Sequence, residues 1–213
     1  MQSAEMSALK TLRSGFFYLF VAMIMLIAVP EFGPAIVSYI SDAIMVVILL
    51  TLLLLTIVVI FLYAIFGKIR PGMRQLSEVD NGFRICYTGT TLMLVGLVVL
   101  ALGAVVVVVL GIEYTILSSL VLVVEVFYVG GIIAFTGYVL AFVVGAFKLH
   151  GKYRNPLYVA AGIFFVLSIF LTFTGLLGLD AVLTLAGLSI TAVGYVLMHI
   201  ALGGTIKKLN TQS

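Results

Sequence analysis

The residues of this chain best placed to do chemistry are acids set in apolar sequence, and there are two. Glu125 sits in Leu122-Val123-Val124-Glu125-Val126-Phe127, far in sequence from any basic residue. A carboxylate inside a membrane is costly unless it is paired or protonated, so such a residue points to function by default. Facing the interior of a helix bundle, Glu125 is a proton or cation site. At the outer end of a helix it is an interfacial residue solvated by water and headgroups. Asp42 admits the same two readings. His150 and His199 are the only histidines. Imidazole ligates haem iron, but neither histidine has a partner at helical ligand spacing, so no metal and no cofactor is expected. Cys86 is the only cysteine, which excludes an internal disulfide and any multi-cysteine cluster. It is expected to be a small buried apolar side chain. The hydroxyls of Ser168, Thr172, Thr174, Ser189 and Thr191 have no nearby base and are expected to bond their own helix or a neighbour. Nucleophile-elbow, His-Glu-x-x-His and P-loop patterns are absent. The expectation is a protein that is not an enzyme.

The elements that must position these residues follow from composition. Of 213 residues, 64% are hydrophobic and 9% are charged, with a mean hydropathy of +1.36. Soluble domains carry about 45–50% apolar and about 25% charged residues. This excludes a soluble enzyme, a disordered chain and a disulfide scaffold, and leaves an integral membrane protein. Strand spans would alternate in short segments, whereas these apolar runs are long. The expected fold is therefore all-α, a polytopic bundle forming one transmembrane domain over 1–213. Its six spans fall at about 11–29, 43–66, 90–112, 124–147, 157–179 and 181–206. The run Pro30-Glu31-Phe32-Gly33-Pro34 is expected to break the chain after the first span. Lys10 and Arg13 ahead of an apolar run also resemble a signal peptide, but proline crowds the Gly33-Pro34-Ala35 cleavage site. The first span is expected to stay.

With six spans, Lys10, Arg13, Lys68, Arg70, Arg74, Arg84, Lys148, Lys152, Arg154, Lys207 and Lys208 all fall on one side. Glu31, Asp42, Glu113 and Asp180 lie at or near the other. Basic loops face the cytoplasm. Both termini are thus expected inside, in a multi-pass protein of the cell membrane. The net charge of +3 reads as an orientation signal, and no nucleic-acid partner is expected. The segment 68–88 is the longest expected loop, either an anionic-lipid or partner site or a topology signal alone.

Two segments, 35–67 and 114–147, are too long for one crossing. At 1.5 Å per residue each would reach roughly 50 Å, against a hydrocarbon core of about 30 Å. Each is the second helix of its hairpin. Gly67-Lys68-Ile69-Arg70-Pro71 reappears as Gly151-Lys152-Tyr153-Arg154-Asn155-Pro156, which suggests a weak parallel repeat. Helices in lipid associate through small residues. Gly89, Gly96 and Gly103 recur at seven-residue spacing, as do Gly187, Gly194 and Ala201, while Gly137, Ala141 and Gly145 follow at four. These faces signal a packed bundle or a homo-oligomer.

The run Leu9-Lys10-Thr11-Leu12-Arg13-Ser14-Gly15-Phe16 resembles the opening signature of an uncharacterised family of archaeal multi-pass membrane proteins. Gly82-Phe83-Arg84, Thr88-Gly89, Leu94-Val95-Gly96 and Leu102-Gly103 resemble the same family. The resemblance implies a polytopic membrane protein with no assigned reaction and no catalytic residues to carry over. The function expected is an accessory or structural component of a membrane complex or a homo-oligomer, in contact with the lipid bilayer and a membrane-protein partner. The alternative is a small channel or a proton- or cation-coupled transporter built on Glu125 and Asp42.

Overall fold

Long apolar runs in lipid must satisfy their own backbone hydrogen bonds, and here they do so as helices. The computed structural model describes residues 2–39, 43–113 and 116–211. Helix α1 is Gln2–Tyr39. Helix α2, Ala43–Leu62, continues through a π-helical segment, Tyr63–Ile69, into α3, Arg70–Val79. A 3-10 turn at Asn81–Phe83 leads to α4, Arg84–Glu113. Helix α5, Ile116–Tyr138, continues through a second π-helical segment, Val139–Val144, into α6, Gly145–Tyr153. Helices α7, Pro156–Gly178, and α8, Ala181–Asn210, close the order. Among the described residues six stretches are long and apolar enough to cross a membrane: Ser3–Pro30, Ile44–Val79, Asn81–Gly103, Glu125–Tyr153, Pro156–Gly178 and Ala181–Asn210.

The structure departs from the sequence reading at three places. Helix α1 runs through Pro30 and Pro34 to Tyr39 rather than breaking. The two prolines are one turn apart, so the carbonyls they leave without a donor lie on one face, and membrane helices tolerate such gaps. The expected loop over 68–88 is instead helix α3, one turn and the start of α4. Pro71 cannot donate to the carbonyl one turn earlier. The π-helical segment ending at Ile69 changes the bonding register just ahead of it. Helix α3 is amphipathic and buries Gly72, Met73 and Leu76, which is why a charged stretch stays folded. The over-long segment 35–67 is divided, since 35–39 belong to α1 and α2 begins at Ala43, whereas the second one is helical from Ile116 and continues through α6 to Tyr153.

The core lies at one end of the bundle. Leu9, Leu12 and Phe16 of α1 meet Ile69, Met73 and Leu76 from α2's continuation and α3. Phe83 and Cys86, Phe142 and Leu149, Tyr158 and Phe165, and Tyr195 and Met198 complete it. Every basic residue belongs to a helical segment or turn at this end, beside those core residues. Toward the other end the helices pair as hairpins, α4 with α5 and α7 with α8, while α1 packs along α8. Helix α2 leans on α1, and of its described side chains only Val46 and Ile57 are buried.

Capping residues set the turns. Asn155 Oδ1 accepts from the Leu157 N–H at 3.1 Å, and Asp180 Oδ1 accepts from Val182 at 2.9 Å and Leu183 at 3.1 Å. Each cap follows a residue in the left-handed region, Arg154 and Leu179, both at φ 52°.

Candidate functional site

The glycine faces are engaged within the chain. A Cβ on Gly89 would stand 2.6 Å from the Ala141 nitrogen and 2.9 Å from the Gly137 carbonyl. One on Gly96 would run into the backbone of Ala134, and one on Gly137 into the backbone nitrogen of Met93. Gly103 meets Val126, and Gly145 faces Met73 and Cys86. Thus α4 and α5 approach backbone to backbone. Between α7 and α8, Gly187 lies against Thr172, Gly194 against the Phe165 ring and Gly175 against Thr184. Ala201 is fully buried, and its carbonyl accepts from Asn155 Nδ2 at 3.3 Å and Thr205 Oγ1 at 3.0 Å.

The other sequence candidates do not converge. Glu125 is exposed on α5, beside Val126, which faces α4. It has no ion-pair partner among the described residues. Asp42 lies outside the described residues. His150 Nδ1 lies 3.0 Å from the Asn155 carbonyl and His199 Nδ1 lies 3.0 Å from the Arg13 carbonyl. A carbonyl only accepts, so both rings carry their proton on Nδ1. The histidines thus tie the α6–α7 turn and the α1–α8 pair. Among the described residues no group of three or more His, Cys, Asp or Glu side chains is placed to hold a metal.

What the helices do bring together is a set of hydroxyls. Five rings form the floor on which they sit. Phe16 of α1 packs edge-on to Phe142 at 5.8 Å; Phe142 meets Tyr195 at 5.7 Å, and Phe165 meets Tyr195 at 5.4 Å. Tyr138 stands over Phe142 at 4.9 Å. This cluster fixes two phenol groups at the level where the core ends and the hairpins separate. Tyr138, Ser168, Thr191 and Tyr195 meet there. Ser168 donates its proton to the Phe165 carbonyl at 2.8 Å, and Thr191 donates to the Gly187 carbonyl at 3.0 Å. Both alcohols therefore keep lone pairs for the phenols, and Tyr138 bonds Tyr195 as well.

Above the hydroxyls the helices leave a cleft. One part, about 290 Å³, is walled by Met23, Phe61, Phe135, Ile169 and Leu188. It shares Phe135, Ile169, Phe173 and Leu176 with a larger recess of about 680 Å³ between α5 and α7, which Tyr128 and Gly131 also line. These volumes fall where small-molecule pockets fall, about 300–1,000 Å³. No charged side chain lines either part among the described residues. A charged head would lose its hydration here without a counter-charge.

In the sequence Ser168 and Thr191 are isolated hydroxyls, and Tyr138 and Tyr195 stand in no motif. A signal was present. Tyrosine favours the membrane interface, yet these two sit well inside apolar runs.

The end of the bundle away from the cleft is closed by polar ties. Glu5 accepts from Tyr153 Oη at 2.7 Å and pairs with Lys152 Nζ at 2.9 Å; Lys152 also reaches Asp80 at 3.5 Å. One lysine thereby joins α1, the α3–α4 turn and α6.

A family model described as "Protein of unknown function (DUF973)" matches residues 5–213. No curated protein and no solved structure matches the chain.

Proposed function

The chain belongs to the DUF973 family, and from that premise we propose that it is a non-enzymatic accessory component of the cell membrane that holds a neutral-headed lipid in its cleft. The observation that carries this reading is a largely apolar cleft lined by five hydroxyl-bearing side chains, Tyr138, Ser168, Thr172, Thr191 and Tyr195, and by no charged one among the described residues. The polar head would sit on Tyr138, Tyr195, Ser168 and Thr191, and the chain would lie along Phe135, Ile169 and Phe173 toward the bilayer. The basic end would face the cytoplasm, as the distribution of lysine and arginine favours. The resemblance to archaeal multi-pass proteins, carried by residues 8–16 and 82–103, supports the same architecture.

The glycine faces already join helices of one chain. A partner in a larger assembly would therefore meet the lipid-facing surface, where α2 exposes most of its described side chains. Such a protein would hold or present a lipid to the assembly and break no bond itself.

Native mass spectrometry of the full chain, extracted in an uncharged detergent with dioleoylglycerol added, tests the reading. A one-to-one adduct is expected, with phosphatidylcholine retained less. Tyr138→Phe combined with Ser168→Ala should weaken the dioleoylglycerol adduct about tenfold, the worth of one or two neutral hydrogen bonds. Equal retention by the variant, or no adduct on the unaltered protein, would overturn the proposal.

A further inference from the structure

A second cavity, of about 400 Å³, opens at the basic end between the α6–α7 turn and the last turns of α8. Lys152, Arg154, Asn155, Thr205 and Lys208 line it, and no acidic side chain does so among the described residues. Most of the polar wall is already occupied. Lys152 is paired with Glu5 and Asp80. Thr205 donates to the Ala201 carbonyl at 3.0 Å, so the proton in its 2.9 Å bond to Tyr158 belongs to the tyrosine. Asn155 donates to Ala201 and accepts from Leu157. Two cations are left over. Arg154 and Lys208 have no ion-pair partner among the described residues.

Arg154 is also held in an unfavourable backbone conformation, at φ 52°. That position of a helix end usually goes to glycine, which meets no Cβ clash. An arginine stands there, in the wall of a cavity, just before the N-cap of α7. The positive end of the α7 dipole adds to the potential of the two side chains. A guanidinium fork matches two oxygens of a phosphate, and an ammonium supplies a point charge for a third.

We propose that this cavity binds a phosphate group, with Arg154 and Lys208 as its ligands. Its location beside the membrane surface lets the phosphate come from a phospholipid headgroup or from a free anion in the adjoining water. The site is independent of the cleft, since the two share no lining residue.

The test uses the purified full chain in nanodiscs and in uncharged detergent. Arg154→Asn with Lys208→Gln removes both charges while asparagine still accepts the left-handed conformation. Arg84→Gln with Lys207→Gln removes two charges of the same end that do not line the cavity. One arm compares binding of dioleoylphosphatidylglycerol with dioleoylphosphatidylcholine by native mass spectrometry. The other measures binding of inorganic phosphate by calorimetry. The cavity variant should lose about twentyfold in affinity, about fivefold for each cation, while the control pair stays within about twofold of the unaltered protein. Selective binding of phosphatidylglycerol alone assigns a lipid headgroup; binding of inorganic phosphate assigns the free anion. The proposal fails if neither probe binds, or if the control pair loses as much as the cavity variant. Unchanged thermal stability of the cavity variant separates loss of the site from loss of the fold.

Discussion

Substituting Gly96 by alanine should unfasten the α4–α5 hairpin, and Gly131 supplies the contrast that makes the experiment decisive. The new Cβ at Gly96 would fall on the backbone of Ala134, which cannot rotate away as a side-chain tip could. Overpacking of this kind costs about 1–3 kcal/mol, and backbone contact places Gly96 toward the upper end. Replacing glycine by alanine in a helix returns about 0.5–1 kcal/mol, which leaves a net loss of about 2 kcal/mol. In a chain of this size each kcal/mol moves the midpoint by about 2–4 °C, so Tm should fall by about 4–8 °C. At Gly131, on the same hairpin, nothing lies within 4 Å of an added Cβ. Gly131→Ala should keep only the helical gain and raise Tm by about 1–4 °C. The assay is built into the chain. Cys86 is its only cysteine and is fully buried in the core, so a maleimide that fluoresces on reaction reports unfolding as temperature rises. If Gly96→Ala melts at or above the unaltered protein, or moves in step with Gly131→Ala, the two helices do not meet backbone to backbone and the packing argument is wrong.

Leu179→Asn should stabilise the turn between α7 and α8 by about 1 kcal/mol, because asparagine tolerates the left-handed conformation and Leu179, 92% exposed, gives up almost no packing; a lowered midpoint in the same thermal assay would contradict this. Glu5→Ala should cost about 1–2 kcal/mol by stranding Tyr153 and leaving Lys152 only Asp80, whereas Glu5→Gln, which still accepts from Tyr153, should cost less. Half-molar salt should shrink the loss seen for Glu5→Gln, and a salt-independent loss would show that charge is not its source. Tyr158→Phe should cost about 1 kcal/mol, since it removes one buried hydrogen bond while Thr205 remains satisfied by Ala201. A loss above about 3 kcal/mol would mean that Tyr158 holds more than this pair.

Much of the architecture was legible because lipid makes hydropathy nearly sufficient. The six apolar runs correspond to six helices long enough to cross, and the one-sided lysines and arginines gather at the core's end. The seven-residue spacing of Gly89, Gly96 and Gly103 announced a close-approach face. Spacing carries no address, however, and only the fold identifies α5 as the neighbour. Charge and proline misled where they usually inform. Arg70-Pro71-Gly72 reads as a loop, yet Gly72, Met73 and Leu76 form one buried face, and tertiary packing outweighs the local signal. The hydroxyl floor was hidden for a different reason. Tyr138 and Tyr195 are 57 positions apart, and nothing in a hydropathy pattern links the second helix of one hairpin to the second helix of another. Attention to acids, which are few and conspicuous, passed over phenols, which are common.

Helices α1 and α8 pack along each other, with His199 bonded to the Arg13 carbonyl and Gly203 beside the Arg13 side chain. This has a consequence for biogenesis. The part of α1 that meets α8, at Arg13 and Phe16, can be covered only once α8 has been made and inserted, whereas Leu12 already meets Gly72 of α3. Until then the earlier spans can form hairpins but cannot complete the core. A chain that ends before α8 would leave that part of α1 uncovered at the basic end of the bundle. Closure of the core around α1 thus depends on the last helix of the chain.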